Sequence, residues 1–575
     1  MGFVHVTLGD VTQLRADAIA YSTDRSLSRG GQLTAAFERR VEGFAEAYAA
    51  LRARVRPEKP RPGTSFFLPL EGRPCGVVVT VATGDASPRA ERAYAAVEGA
   101  LRSAAEHLEA AGVPRPWRIA LPTFLTGDGG ARHDRLAVAE PQIEAAHDFL
   151  EREPDSDVAF VPYTEGTYQV WLEARRRVET RRGIALDPTI EPEPALVNAV
   201  RRGECVLFVG SGTSLGSGLP TWSGLVGELE TALEIPMEHR HRDLDHFLDL
   251  AQWYRDEGRS PSLEDLLRAR FSVSASGARP TLTHYLLTAL PIRHFVTTNY
   301  DDLLETALEA LRVHPIRVVR EEDVARTGAR DGRFVVKFHG CAATPGSEFV
   351  LSRDDYDDFF RTRPAMALLL EGLLLNQTFF FVGYGLRDPD FRQIHHRIAH
   401  MLQGAKRPAF ATTFDRVTPQ ARTQWQKKQL SLVSIPGADD LAKARHLDRY
   451  LDRLGERVAQ DPQLFLAEDV ERPDPDPLAR LRATLLEVAQ VTIGTVRQVE
   501  TLSASDARTL ADVLRFLTRR GFRGHSPAQL AQLFTDLARH PGLSEQERLA
   551  LLVSALRHTE GLHQAEALRT LIARR

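Results

Sequence analysis

The stretch Phe295–Asp302, FVTTNYDD, decides how the middle of this chain is read. Its apolar and β-branched run, Phe295-Val296-Thr297-Thr298, breaks off into Asn299-Tyr300. Two carboxylates, Asp301 and Asp302, then open the helical spacing of Leu303, Leu304, Ala307 and Leu308. Such a pattern predicts a buried strand handing over to a helix. That strand delivers Asn299 and Asp301 to its carboxyl end, the edge where ligands sit in open parallel sheets. Taken alone, the octamer is equally compatible with plain helix capping by Asn or Asp.

Three further strands in the same region end in equally unusual residues. Cys205–Val209 is wholly apolar and runs into Gly210-Ser211-Gly212-Thr213-Ser214-Leu215-Gly216-Ser217-Gly218. Glycine at that density after a strand, ahead of a helix expected from Ser223, leaves backbone amides open to a pyrophosphate. The spacing is GxGxxxG, not the dinucleotide GxGxxG. Phe334 to Phe338 ends in His339-Gly340, and Phe379 to Val382 ends in Gly383-Tyr384-Gly385-Leu386-Arg387-Asp388-Pro389. In a parallel sheet these four ends share one edge, so a convergent site is the economical explanation. Singly, His339 reads as a strand-end histidine bonded to backbone, and Asp388-Pro389 as a turn.

The preceding 180 residues alternate strand and helix as well. Val4 to Leu8, Leu14 to Tyr21, Val77 to Val81 and Arg118 to Pro122 read as strands, and Ala90 to Ala111 as a long amphipathic helix. Gly30-Gly31 precedes the helix-like LTAAFERRV, and the fourth strand empties into Thr123-Phe124-Leu125-Thr126-Gly127-Asp128-Gly129-Gly130. Glycine-rich strand ends of this kind suggest a nucleotide-sized cleft, although they also serve as turns.

Between these regions, RRGIALDPTIEPEP (181–194) alternates proline with acids and reads as a linker; Glu471 to Pro477 marks another. Beyond it the pattern is helical over Leu478 to Val499, Asp506 to Arg519, Pro527 to Arg539, Glu545 to His558 and a last helix to Arg575. Ser526-Pro527 forms a start, His540-Pro541-Gly542 a stop, and Ser544 with Glu547 a capping box. A small helical bundle is expected, suited to oligomerisation or docking of a protein partner.

At 575 residues the chain is too long for one core. With 43% hydrophobic and 26% charged residues it reads as globular rather than disordered. The net charge of −4 offers no overall field for nucleic acid or anionic membrane, and neither is expected as a partner. Arginine supplies 67 of the 73 basic residues, which carries no functional weight. Three scattered cysteines, Cys75, Cys205 and Cys341, give no disulfide framework and no CxxC pair for zinc. With no leader-like N-terminus and no spanning segment, a cytoplasmic location is expected.

Two resemblances attach to these motifs. GDVTQLRADAIAYSTD, RGGQLTAAF and LPTFLTGDGG together resemble a macro domain, the ADP-ribose-binding module. The resemblance implies that Asp10 meets the adenine amine, that Gly30 and Gly31 form a first phosphate loop, and that Thr126, Gly127, Asp128 and Gly129 form a second. Active macro hydrolases carry an asparagine-rich stretch where this chain has Ala20-Tyr21-Ser22-Thr23-Asp24, which implies binding rather than hydrolysis. GSGTS, GLPTW, TTNYD, KFHG and FVGYG, in that order, resemble the sirtuin family, in particular its bacterial branch of NAD-cleaving anti-phage effectors. That resemblance implies NAD+ as substrate, with Gly210, Ser211, Gly212 and Ser214 at its phosphates and Thr221 and Trp222 near nicotinamide. It further implies Asn299 and Asp301 at the nicotinamide ribose, His339 as general base, and Gly383 and Tyr384 near the adenosine ribose.

The expectation is an α/β chain: a macro-like α/β/α domain (1–182), a Rossmann-like parallel-sheet sirtuin-type domain (195–460), and a small all-α end (478–575). Its expected activity is NAD+ hydrolysis without a metal, in an NAD-depleting defence effector that forms a homo-oligomer. An ADP-ribose-related nucleotide signal would act at the first cleft. Protein deacylation or ADP-ribosyl transfer is the alternative chemistry, and a non-catalytic reader of NAD metabolites the alternative class. Sirtuin deacylases carry a four-cysteine zinc module, which three cysteines cannot build.

Overall fold

The computed structural model describes residues 2–29, 31–71, 74–83, 87–126, 135–185, 187–220, 222–236, 244–328, 332–384, 407–427, 429–459 and 527–557. Six strands form the first sheet: β1 (Phe3–Val6), β2 (Ala18–Asp24), β3 (Ser65–Pro69), β4 (Gly76–Thr83), β5 (Trp117–Pro122) and β6 (Ser156–Val161). Their order is β1-β6-β5-β2-β4-β3, parallel throughout except where β3 meets β4. Alternate residues divide its two faces. Ala18, Ala20, Val78, Ile119, Leu121, Val158 and Phe160 lie under the helices Arg89–Ala110, Arg135–Arg152 and Glu165–Arg182. Ile19, Tyr21, Val77 and Val79 lie with Phe37, Phe44 and Tyr48 of the helices Gly31–Arg40 and Phe44–Val55. A sheet covered on both sides explains why its strands read as continuous apolar runs.

The second sheet has seven strands: β7 (Cys205–Val209), β8 (His294–Thr297), β9 (Ile316–Val318), β10 (Phe334–Lys337), β11 (Thr378–Val382), β12 (Ala409–Thr413) and β13 (Leu430–Ser434). All pairings are parallel, in the order β13-β12-β11-β7-β8-β10-β9. The chain starts in the middle at β7, lays β8 beside it, runs out to the edge at β9, comes back to insert β10 between β8 and β9, then crosses to β11 on the other flank. Strand order therefore reverses between β7 and β11, the switch point beside which doubly wound sheets open a crevice at their carboxyl edge. The expected class, α/β/α layers followed by a Rossmann-like parallel sheet, is the one adopted. At the C-terminal end the described residues hold two helices, Pro527–Ala538 and Glu545–Arg557, the latter with the Ser544–Glu547 capping box. The other expected tail helices lie outside the described residues.

The two sheets share one apolar cluster. Leu282, Tyr285 and Leu286 of the helix Leu282–Ala289 and Leu447, Tyr450, Leu451 and Leu454 of the helix Asp440–Ala459 join residues of both sheets. Helix Asp440–Ala459 also seals the first sheet at its edge strand. The Val6 amide donates to Asp452 Oδ2 at 3.0 Å, and His5 Nδ1 lies 3.1 Å from the same oxygen. Arg175, 1% exposed, pairs with Asp452 at 2.6 Å and Glu456 at 3.0 Å, and donates to the Val4 carbonyl at 2.9 Å. Arg445 holds Asp157 through two bonds of 2.7 and 2.8 Å. Between the sheets, Ile190 of the short turn Pro188–Ile190 is buried in the shared cluster.

One element departs from the sequence pattern. The strand expected from Leu14 begins only at Ala18. Tertiary partners take the intervening backbone: the Arg15 amide donates to the Pro280 carbonyl at 2.9 Å and the Asp17 amide to Arg118 at 2.8 Å.

Candidate active site

The carboxyl ends of β7, β8, β10 and β11 bring the candidate residues to one edge. β7 and β11 meet there backbone to backbone. The Gly210 amide donates to the Val382 carbonyl at 2.8 Å and the Gly212 amide to the Gly383 carbonyl at 3.0 Å. A Cβ on Gly210 or Gly212 would stand 2.7 or 2.8 Å from the Gly383 carbonyl oxygen. Gly383, at φ +80°, would press a Cβ within 2.8 Å of both the Gly210 oxygen and the Thr213 nitrogen. These glycines thus have a structural reason as well as a ligand-binding one: they let the loop 210–214 seat on the end of β11. Ser211 is exposed on that loop, in the short turn Ser211–Ser214.

Ser214 is the junction of the site. Its hydroxyl donates to Asp301 Oδ2 at 3.0 Å and accepts from Asn299 Nδ2 at 3.4 Å. The backbone positions both partners: the Asn299 amide bonds the Thr297 hydroxyl at 3.0 Å, and Asp301 Oδ1 accepts from the Leu303 amide at 3.2 Å, starting the helix Leu303–Ala310. Asn299 and Asp301 are 9% and 6% exposed, so the junction sits in a wall rather than on open surface. Burial raises the Asp301 carboxyl above its usual range, opposed first by nearby Lys337 and then by the Leu303 and Ser214 hydrogen bonds.

His339 follows β10, the neighbour of β8, and is 8% exposed. Burial, then the Arg363 guanidinium, push its imidazole down to about 3. It is therefore neutral near pH 7. Tyr384 lies beneath the edge, 4% exposed, its ring edge-on to Phe208 with centroids 5.3 Å apart. Its hydroxyl meets the Thr298 hydroxyl at 2.8 Å. Trp222 opens the helix Trp222–Ala232, while Thr221 lies outside the described residues. Among the described residues no group of three His, Cys, Asp or Glu is placed to hold a metal ion, and Cys75, Cys205 and Cys341 form no disulfide.

In the first unit, Asp10 is buried and its carboxylate is already engaged. Oδ1 accepts from the Thr12 amide at 2.9 Å and its hydroxyl at 2.6 Å, while Oδ2 meets Arg40. Gly31 is the first residue of the helix Gly31–Arg40, and Thr126 caps its own turn on the Thr123 carbonyl at 3.0 Å. Gly30, Gly127, Asp128 and Gly129 lie outside the described residues.

Sequence reasoning missed the contacts joining this region to the other site. Tyr285 donates to the Asp10 carbonyl at 2.7 Å, and its ring lies where a Cβ on Gly9 would stand, 2.3 Å away. Arg15 donates to the Ser217 carbonyl, in the glycine-rich loop, at 2.7 Å; Arg279 reaches back to the Thr12 carbonyl at 2.8 Å. Lys337, at the last position of β10, was missed too, although a lysine closing an apolar strand beside His339 is a local anomaly.

Residues 293–433 match the family model described as a SIR2-like domain. Among curated proteins, the chain is 32% identical over 206 residues to the NAD(+) hydrolase ThsA of Cytobacillus dafuensis, covering 36% of this chain and 40% of that protein. It is 25% identical over 311 residues to Defense-associated sirtuin 2 of Bacillus subtilis, covering 53% of this chain and 30% of that one. The chain thus spans less than half the length of these curated relatives. The Oceanobacillus iheyensis macrodomain with ADP aligns at 17% identity and a TM-score of 0.27, covering 31% of this chain and 92% of that one. No helix among the described residues is long and apolar enough to cross a membrane.

Proposed function

We propose that this chain is an NAD+ nucleosidase, cleaving NAD+ with water to nicotinamide and ADP-ribose, and that it acts as an NAD-depleting effector in anti-phage defence. The observation that carries the reading is the Ser214 junction with Asn299 and Asp301, one strand from a neutral buried His339 at the carboxyl edge. The SIR2-like match over 293–433 and the likeness to proteins named NAD(+) hydrolase support it. In the reaction the bond between the ribose C1′ and the pyridinium nitrogen breaks, its electron pair leaving with neutral nicotinamide. Water adds at C1′ and loses a proton to His339, which returns it to solvent. Asn299 and Asp301 orient the ribose, and a buried wall keeps the cation-like sugar from uncontrolled attack.

The division we propose is a macro-like unit at 1–182, a catalytic unit at 195–460 and an end at 478–575 for oligomerisation or docking. Its setting is the cytoplasm, in keeping with three cysteines that form no disulfide. An ADP-ribose-related nucleotide at the first cleft regulates the second. The Tyr285, Arg15 and Arg279 contacts support this, since the segment bearing Asp10 grips the carbonyl that closes the glycine-rich loop.

Nicotinamide release by the purified chain tests the activity, with Asn299→Ala and His339→Ala beside it. Turnover in the parent and its loss in both variants is the expected result. A parent that binds NAD+ but never releases nicotinamide, with or without ADP-ribose, would favour the non-catalytic reader instead.

A further inference from the structure

Lys337 is wholly buried, at the end of the apolar strand Phe334–Lys337. An ammonium in that position is costly unless paired, and an aliphatic residue would continue the strand pattern. Its neighbours explain where it points. The Nζ donates to the backbone carbonyl of Asp301 and lies 3.6 Å from Glu305 Oε1. Simple neutralisation of Glu305 does not account for it, because Arg317 already holds the same oxygen at 3.0 Å. The contact closest to Lys337 is the one to Asp301.

We propose that Lys337 is a positioning residue of the site: its bond to the Asp301 carbonyl fixes the peptide that aims the Asp301 carboxylate at Ser214 and, through Ser214, holds Asn299. The inference rests on the NAD+-cleaving reading above. The chain of contacts is Lys337 to Asp301, Asp301 to Ser214 at 3.0 Å, and Ser214 to Asn299 at 3.4 Å. Lys337 touches neither the Ser214 hydroxyl nor the Asn299 amide in this chain; its influence passes through Asp301. The ammonium also remains charged: burial pulls its affinity for the proton down, but Glu305, Cys341 and Asp301 outweigh that and leave it raised.

The test is a double-mutant cycle on the full chain, reading kcat and KM for NAD+ cleavage in Lys337→Met, Asp301→Asn and the double variant. Lys337→Met is expected to lower kcat at least tenfold. Combined with Asp301→Asn it should lower kcat less than threefold further, because the residue it acts through is already altered. Losses that multiply independently would overturn the inference, as would full activity in Lys337→Met. A melting temperature for each variant shows whether it folds, and Lys337→Gln replaces Lys337→Met if the latter does not. Were the parent silent, NAD+ affinity by calorimetry would carry the same cycle. A parent that neither cleaves nor binds NAD+ would defeat the functional reading itself, an outcome distinct from independent losses in an active parent.

Discussion

Gly383→Ala and Gly216→Ala form a matched pair that isolates what the meeting of β7 and β11 contributes. Both glycines sit at positive φ, +80° and +78°, so alanine meets a similar left-handed penalty of about 1 kcal/mol at either position. Around Gly216 a new Cβ would meet nothing within 4 Å. At Gly383 it would lie 2.8 Å from the Gly210 oxygen, 2.8 Å from the Thr213 nitrogen and 2.9 Å from the Thr213 methyl. Two of those atoms are backbone, so the loop itself must move. Overpacking of this kind costs about 1–3 kcal/mol, and a weakened Gly212 to Gly383 hydrogen bond adds about 1 kcal/mol. Gly383→Ala should therefore lose about 2–4 kcal/mol more than Gly216→Ala. At about 2–4 °C per kcal/mol, the two melting temperatures should differ by at least ~4 °C in scanning calorimetry on the full chain. NAD+ affinity should fall in Gly383→Ala as well, because the floor of the 210–214 loop shifts. Equal melting temperatures in the two variants would refute the argument that backbone contact, rather than φ alone, demands glycine at 383.

Other outcomes follow from the same structure. With the His339 imidazole pushed down to about 3, the acid limb of kcat/KM for NAD+ cleavage should fall well below pH 6.5; a limb at or above 6.5 would exclude His339 as the base. The same depressed value makes His339 a stability term that is intact above its unfolded value near 6.5 and is lost as pH falls from there toward 3. The loss over that pH window should be smaller in a folded His339→Gln variant, the remainder coming from His147, His284 and His294, which burial depresses likewise. Arg175→Met removes the buried cation that Asp452 and Glu456 share, leaving Asp452 with Val6 and His5 and Glu456 with Arg453; it should cost up to about 3 kcal/mol, read as a fall in melting temperature, and a change under ~1 °C would contradict it. Tyr285→Phe removes one hydrogen bond to the Asp10 carbonyl and should cost about 1 kcal/mol while leaving the ring against Gly9. Arg279→Ala should reduce any effect of ADP-ribose on turnover, and an undiminished effect would place regulation elsewhere.

Much of this fold was legible because two-sided burial writes itself into sequence as apolar runs. Cys205–Val209 was read to the residue, and the strands bearing Phe295, Phe334 and Phe379 to within one. Edge strands such as Ile316–Val318 and Ser65–Pro69 are too short or too mixed to stand out from loops. Ser156–Val161 and Ala409–Thr413 are inner strands whose apolar signal is diluted by Ser, Asp, Ala and Thr. In the site, Asn299 and Asp301 were read from a strand end and Ser214 from the resemblance to sirtuins, and the three meet in space. Lys337 escaped notice because nothing local says what a strand-end lysine reaches. Arg15, Arg279 and Tyr285 escaped for a deeper reason: their partners lie 202 to 275 residues away, and no local pattern encodes such a pairing.

The carboxylate of Asp452 has a consequence for how this chain could be taken apart. It satisfies the outward-facing Val6 amide of an edge strand and the guanidinium of Arg175 from a helix more than 270 residues downstream. Excising the first unit at the proline-rich junction would leave a bare strand rim and an Arg175 stripped of Asp452 and Glu456. Such a fragment should self-associate through that rim, so a soluble excised module would need the helix Asp440–Ala459 supplied in trans. The two units are consequently not interchangeable cassettes, and a shuffled version with a foreign front half would have to reinvent that seal.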